Sequence, residues 1–169
     1  MPEIPYQVRR FIPADAPQIA QLFHDTIHRI NAQDYCPAQI QAWAPDDLHF
    51  CDWASRCGAR ITFVAIDPVP GLAMASDKII GFGELESSGH IGCFYGHWQY
   101  QRRGVGRLLY QALENEAITR GLESLRVEAS ITARPFFERM GFSLIEPQQV
   151  FCRGQWLLTN RMLKCLTRA

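Results

Sequence analysis

Gln101-Arg102-Arg103-Gly104-Val105-Gly106 is the stretch whose residue types and spacing point most directly to chemistry. It stands between an extended segment and a long helical pattern. A loop that opens a helix exposes unpaired backbone N–H groups at the positive end of the helix dipole, which makes it a place for an anion. Gly104 and Gly106 remove side chains where an anion must approach the backbone, and Arg102, Arg103 and Arg107 bring charge for phosphate oxygens. The run lacks the Gly-Lys-Ser/Thr ending of a nucleotide P-loop and the third glycine of a dinucleotide fingerprint. On these residues alone, a turn and a helix start with solvated arginines is the competing reading.

Two histidines, His24 and His28, stand four residues apart, the spacing of a zinc-binding helix. The helical wheel turns both away from the apolar stripe. No third ligand stands out in the sequence, so a polar face is expected and no metal. The cysteines, at 36, 51, 57, 93, 152 and 165, form no Cys-x-x-Cys pair, and His49 beside Cys51 matches no ligand spacing. They read as reduced, mostly buried thiols.

The elements that must position these residues are legible in outline. Tyr6 to Ile12 partly alternates and predicts an opening strand. Asp15, with Pro17 and Gln18 after it, forms a capping-box-like start for an amphipathic helix over 16–31, whose stripe is Ile19, Leu22, Phe23, Ile27 and Ile30. A short helix carrying Ile40 and Trp43 follows Pro37 and ends near Pro45. Residues 61–66 and 78–86 predict strands, separated by a Pro/Gly turn region over 67–77. Ser87-Ser88-Gly89 turns the second of these into a strand from His90 to Trp98. Val105, Leu108, Leu109, Ala112, Leu113 and Ala117 mark a helix over 105–120 that stops at Gly121. A strand over 122–129, a helix over 133–140 and two more strands from Phe142 complete a mixed α/β arrangement, read as a single domain over residues 1–169.

The chain has 169 residues, 47% of them apolar, with 17 Lys+Arg against 17 Asp+Glu. A chain of this size buries a sizeable core without disulfide or metal staples. Zero net charge argues against broad binding to nucleic acid or acidic membranes. The N-terminus has neither the basic start nor the apolar core of a signal peptide, and no apolar run approaches the roughly 20 residues of a membrane span. Cytosol is the expected compartment.

Gln101 to Gly106 resembles the Q/R-x-x-G-x-G/A pyrophosphate loop of the GNAT superfamily of acyl-CoA N-acyltransferases. Phe94-Tyr95-Gly96-His97 lies where that family's fourth strand enters the loop. Ala133 to Phe142 is similar to the family's helix ending in Gly-Phe, and the upstream helix, short helix, strand and hairpin follow its order. The resemblance implies a GNAT-like mixed, twisted α/β (α+β) sheet of six or seven strands, splayed between the fourth and fifth, flanked by about four helices, with acyl-CoA lodged in the splay.

It further implies roles. Backbone amides of Gln101, Arg102, Arg103, Gly104, Val105, Gly106 and Arg107 would hold the CoA pyrophosphate, and main-chain groups of Tyr95 and Gly96 would pair with pantetheine and the acetyl carbonyl. Ser130 falls where many members carry a cofactor-touching Asn. Phe137 falls where many carry a Tyr that protonates the departing thiolate, and Phe has no proton to give. His90, near a position where some members carry a basic Glu, is the first candidate base, since an unperturbed imidazole titrates near 6.5. Glu84 is the second, with Glu128 and Tyr95 behind it, and Tyr35 and Trp43 are candidates for the acceptor pocket. The reading is acetyl transfer from acetyl-CoA to a primary amine by direct attack. A non-catalytic acyl-CoA-binding sensor or partner module is the alternative, and a zinc hydrolase built on the two histidines a remote third. The partner is then a small-molecule or peptide amine, with homodimerisation left open.

Overall fold

The computed structural model describes residues 5–69, 71 and 77–166. Residues 1–4, and with them most of the stretch read for a signal peptide, fall outside this range, as does part of the turn expected over 67–77. The elements follow in the order β1 (Gln7–Arg10), α1 (Ala16–Arg29), α2 (Pro37–Trp43), α3 (Trp53–Gly58), β2 (Ile61–Asp67), β3 (Lys78–Leu85), β4 (His90–Gly96), α4 (Val105–Thr119), β5 (Ser124–Ser130), α5 (Arg134–Arg139), β6 (Ser143–Cys152) and β7 (Gln155–Cys165). The strands form one seven-stranded sheet in the order β1-β2-β3-β4-β5-β7-β6. Its pairs are antiparallel except for β4–β5, which is parallel. The mixed sheet is as expected. The helix that sequence reading passed over is α3, whose six residues are too few to display a period.

One layer of helix covers each face. Ile19, Leu22, Phe23 and Ile27 of α1 are buried, together with Val64, Phe82 and Cys93 of the sheet and Trp53 of α3. On the other face Val105, Leu109, Leu113 and Ala117 of α4 are buried against Ala65, Ile80, Leu85 and Ile91. Both stripes are those the 3.6-residue period predicts. The start of α1 differs from expectation. The carboxylate of Asp15 accepts from Ile12 N–H and from both terminal nitrogens of Arg9, and Gln18 bonds across to Asp77 and Ile79. Both side chains therefore bind α1 to the sheet instead of capping it. No helix among the described residues is long and apolar enough to cross a membrane.

The feature that shapes the rest is the seam between β4 and β5. Their pairing covers only His90 with Arg126 and Ile91 with Val127. Just past it, β3 advances from Leu85 to Gly83 while β4 advances from Ile91 to Phe94, so β4 carries one residue more than its partner. Such a bulge bends the strand that holds it. From Gly92 to Gly96 β4 leaves β5, and the sheet opens as a V with its apex at His90 and Ile91. The expected splay is there.

Candidate functional site

The open end of the V leads into the loop before α4. Gly104 is the N-cap of that helix, at φ 82°, a left-handed conformation that costs glycine nothing. Gly106 sits in the first turn, and a Cβ there would come within 3.1 Å of the Phe136 ring, so glycine lets α5 close on α4. The Gln101 amide donates to the carbonyls of Gly96 and His97 and ties the loop to the end of β4. Arg102, Arg103 and Arg107 are exposed around it, Arg103 lying over the Tyr100 ring. Beside α4 an open cleft of about 420 Å³ runs between Arg107, Gln111, Arg139 and Lys164. Lys164 is paired with Glu114 there, and among the described residues Arg107 and Arg139 make no ion pair.

The strand edge needs a correction. Phe82 is registered with Tyr95, and the His97 N–H donates to the Ile80 carbonyl at 2.8 Å. By the two-residue alternation of an antiparallel ladder, Tyr95 spends its main-chain groups on β3. Phe94 and Gly96 are the residues that face the splay, a parity the one-dimensional sequence does not reveal. The Gly96 carbonyl also accepts from Thr26 Oγ1. The side chain of Tyr95 packs among Phe23, Trp43 and Phe82 on the α1 side, where burial holds its phenol protonated well above the ordinary range. Tyr35 packs edge-on against Trp43 and bonds the Leu158 carbonyl and Ile131 N–H.

Ser130, 8% exposed, accepts from the Ala133 N–H at 3.0 Å. Its oxygen caps the turn into α5. Phe137 is 1% exposed and packs on Phe94, Phe136 and Phe142, in the core at the back of the splay.

His90 stands at the apex of the V. Its Nε2 bonds Glu128, and its Nδ1 lies 3.3 Å from Glu86. Sequence reading paired no carboxylate with His90, because Glu128 arrives from the parallel neighbour strand. Glu84, the second candidate base, is 0% exposed and held by Arg56 through two bonds of 2.9 Å, with Arg60 at 3.8 Å. A base must reach the proton it removes, and this carboxylate is buried and occupied. It anchors α3 to the sheet. Replacing it by Gln should cost about 2 kcal/mol of stability, discounted because Arg56 is partly in water, and should leave turnover within a few-fold. Denaturation and initial rates on the same sample check this, and a hundredfold rate loss would restore Glu84 as base.

Around it lie two thiols. Burial, then the Glu84 charge, pushes Cys57 up to about 12, and the same causes raise Cys93 further. Neither is a ready nucleophile.

The histidines of α1 are half-buried, on the polar face expected. Their rings stack with centroids 4.0 Å apart beneath the segment after α2. His24 Nε2 is 2.9 Å from Asp46, and His28 Nε2 is 2.7 Å from the Ala44 carbonyl.

This arrangement of sheet, splay and loop has relatives. The family model of the acetyltransferase (GNAT) domain matches residues 31–162. The chain belongs to the GNAT family. The uncharacterized N-acetyltransferase YafP of Escherichia coli K12 is 33% identical to this GNAT chain over 151 residues, 89% of each protein. A GCN5-related N-acetyltransferase from Rhodopseudomonas palustris is 33% identical and superposes with a TM-score of 0.83 over 95% of both chains. The PaiA N-acetyltransferase of Thermoplasma acidophilum, solved with coenzyme A, shares the GNAT fold at 14% identity, with a TM-score of 0.71 over 95% of this chain and 99% of that one.

Proposed function

We propose that this protein transfers the acetyl group of acetyl-CoA to a primary amine by direct attack of the amine on the thioester carbonyl. The observation that carries the reading is the V between β4 and β5, opening onto a helix start whose N-cap is a left-handed glycine. The residues suit the co-substrate. Amides at 104–107 and the loop arginines would face a diphosphate, the edge groups of Phe94 and the N–H of Gly96 suit an extended amide chain, and Arg107 and Arg139 in the cleft suit a further phosphate. Acetyl-CoA supplies the activated acyl group, and the chain orients both reactants and polarises the carbonyl. The amine proton passes to the His90–Glu128 pair at the apex. Protonated Cys57 and Cys93 fit a transfer with no acyl-enzyme.

An acceptor panel with acetyl-CoA, followed by free thiol release, tests this. Amine-dependent release is expected from at least one acceptor. Release that no amine accelerates, from protein that binds CoA, would overturn it.

Phe137 makes a sharper test. A thiol of pKa about 8.5 leaves near neutral pH without much help, so an apolar wall suffices where other members place an acid. Phe137→Tyr should keep CoA binding and turn over at least as fast, the gain growing below that pH. Because the ring is enclosed, the new hydroxyl should cost about 1–3 kcal/mol of stability. Melting curves and kcat between pH 6.5 and 9, scanned in steps of about half a unit across the thiol pKa, read both effects. A large fall in kcat with intact binding would contradict the expectation.

A further inference from the structure

We propose that His24, His28 and Asp46 form a binding site for a zinc-class divalent ion, which clamps the segment after α2 onto α1. The expectation of no metal rested on a missing third ligand. Asp46, which follows α2, is that ligand. One ligand atom from each of the three residues lies within 4.8 Å of the others. Nitrogen and oxygen ligands about 2.0–2.2 Å from a tetrahedral zinc are roughly 3.4 Å apart, so the set closes when the two rings, now stacked at 23°, turn about their side-chain bonds to aim both lone pairs at one point.

The outer nitrogens support this choice. His28 Nε2 faces the Ala44 carbonyl, which can only accept, so that nitrogen carries the proton and Nδ1 is left with a lone pair. His24 Nδ1 is 3.2 Å from Asp25, whose carboxylate is held in turn by Gln21 at 2.8 Å. Ligating histidines are oriented in this way, one nitrogen on the metal and the other on a carbonyl or carboxylate. The His24 side chain is 19% exposed and that of Asp46 76%, so an ion enters from solvent and keeps a water in its fourth position. On binding, the ion takes the place of the proton shared by His24 Nε2 and Asp46, which leaves to solvent. Two imidazoles and one carboxylate suit zinc and its neighbours, whereas magnesium and calcium prefer oxygen shells. Ala44 follows Trp43, which packs on Tyr35 and Tyr95, so the clamp stiffens that aromatic wall.

The proposal is independent of acetyl transfer and is tested without CoA. Untagged protein, stripped with a chelator, is titrated with zinc chloride in a calorimeter. One ion per chain is expected, with His24→Gln, His28→Gln and Asp46→Asn each weakening binding at least tenfold. Zinc should raise the melting temperature of the wild type and not of Asp46→Asn, and magnesium should do neither. Cobalt(II) on the wild type reads the site without any variant, through the intense visible bands of a low-coordinate imidazole complex. Absence of zinc binding, a spectrum of hydrated cobalt, or equal affinity in folded Asp46→Asn, which would reduce the site to a surface histidine pair, each overturns the proposal.

Discussion

Gly104→Val should weaken coenzyme A binding by at least a hundredfold while leaving the protein folded. Residue 104 holds φ at 82° as the N-cap of α4, and a β-branched side chain in that region costs on the order of 1–3 kcal/mol. The chain escapes the strain by rotating its peptides, and the peptides that rotate are those whose N–H groups face the proposed diphosphate. A hundredfold change in Kd is about 2.7 kcal/mol, within reach of losing two or three such bonds to a charged ligand. The site is half-buried at the end of a helix, and strain of that size should lower the melting temperature by about 2–10 degrees without unfolding the protein. Gly104→Ala, with the same φ and no branch, should fall between. Calorimetry with CoA decides, and an unchanged Kd in folded Gly104→Val would remove the loop from the binding site.

Loss of the apex imidazole is the second large effect. His90→Ala should lower kcat by about a hundredfold, the usual share of a positioned base, with the KM for acetyl-CoA little changed. The ring lies at the apex in touch with two carboxylates, Glu128 and Glu86, so removing it would break the proposed path for the amine proton. Glu128→Gln, which keeps the ring and removes the carboxylate charge beside it, should cost about tenfold. In His90→Ala the pH–rate profile should keep only the limb set by ionisation of the amine itself. An unaltered profile and kcat would transfer the role to water.

How much of this could be read in advance depended on range along the chain. The strands at 61–67 and 78–85, the helix at 105–119 and the hairpin at Ser87-Ser88-Gly89 declare themselves because alternation, helical period and turn residues are local signals. Asp15 and Gln18 misled for the same reason. Their spacing fits a cap, but Arg9, Asp77 and Ile79 outbid the helix end, and two of those three lie about sixty residues away. In the site, the glycine-rich loop from Gln101 to Arg107 was legible because the proposed phosphate cradle would be made by consecutive backbone groups. Which residues of β4 face the V was not, because a single bulge against β3 decides it.

The sequence by itself determined the element order apart from α3, both apolar helix faces, the glycine-rich loop before α4 and the absence of a proton donor at Phe137. Those properties depend on residues within a turn or two of one another. Only the tertiary structure decided that Glu84 is an anchor gripped by Arg56, that His90 meets Glu128, and that Asp46 completes a triad with His24 and His28. In each of these the partners come from different elements, more than twenty residues apart in two cases, and their meeting follows from packing and sheet order. A side chain's residue type states what it can donate or accept, and the neighbour brought up by the fold determines whether that capacity is free or already taken.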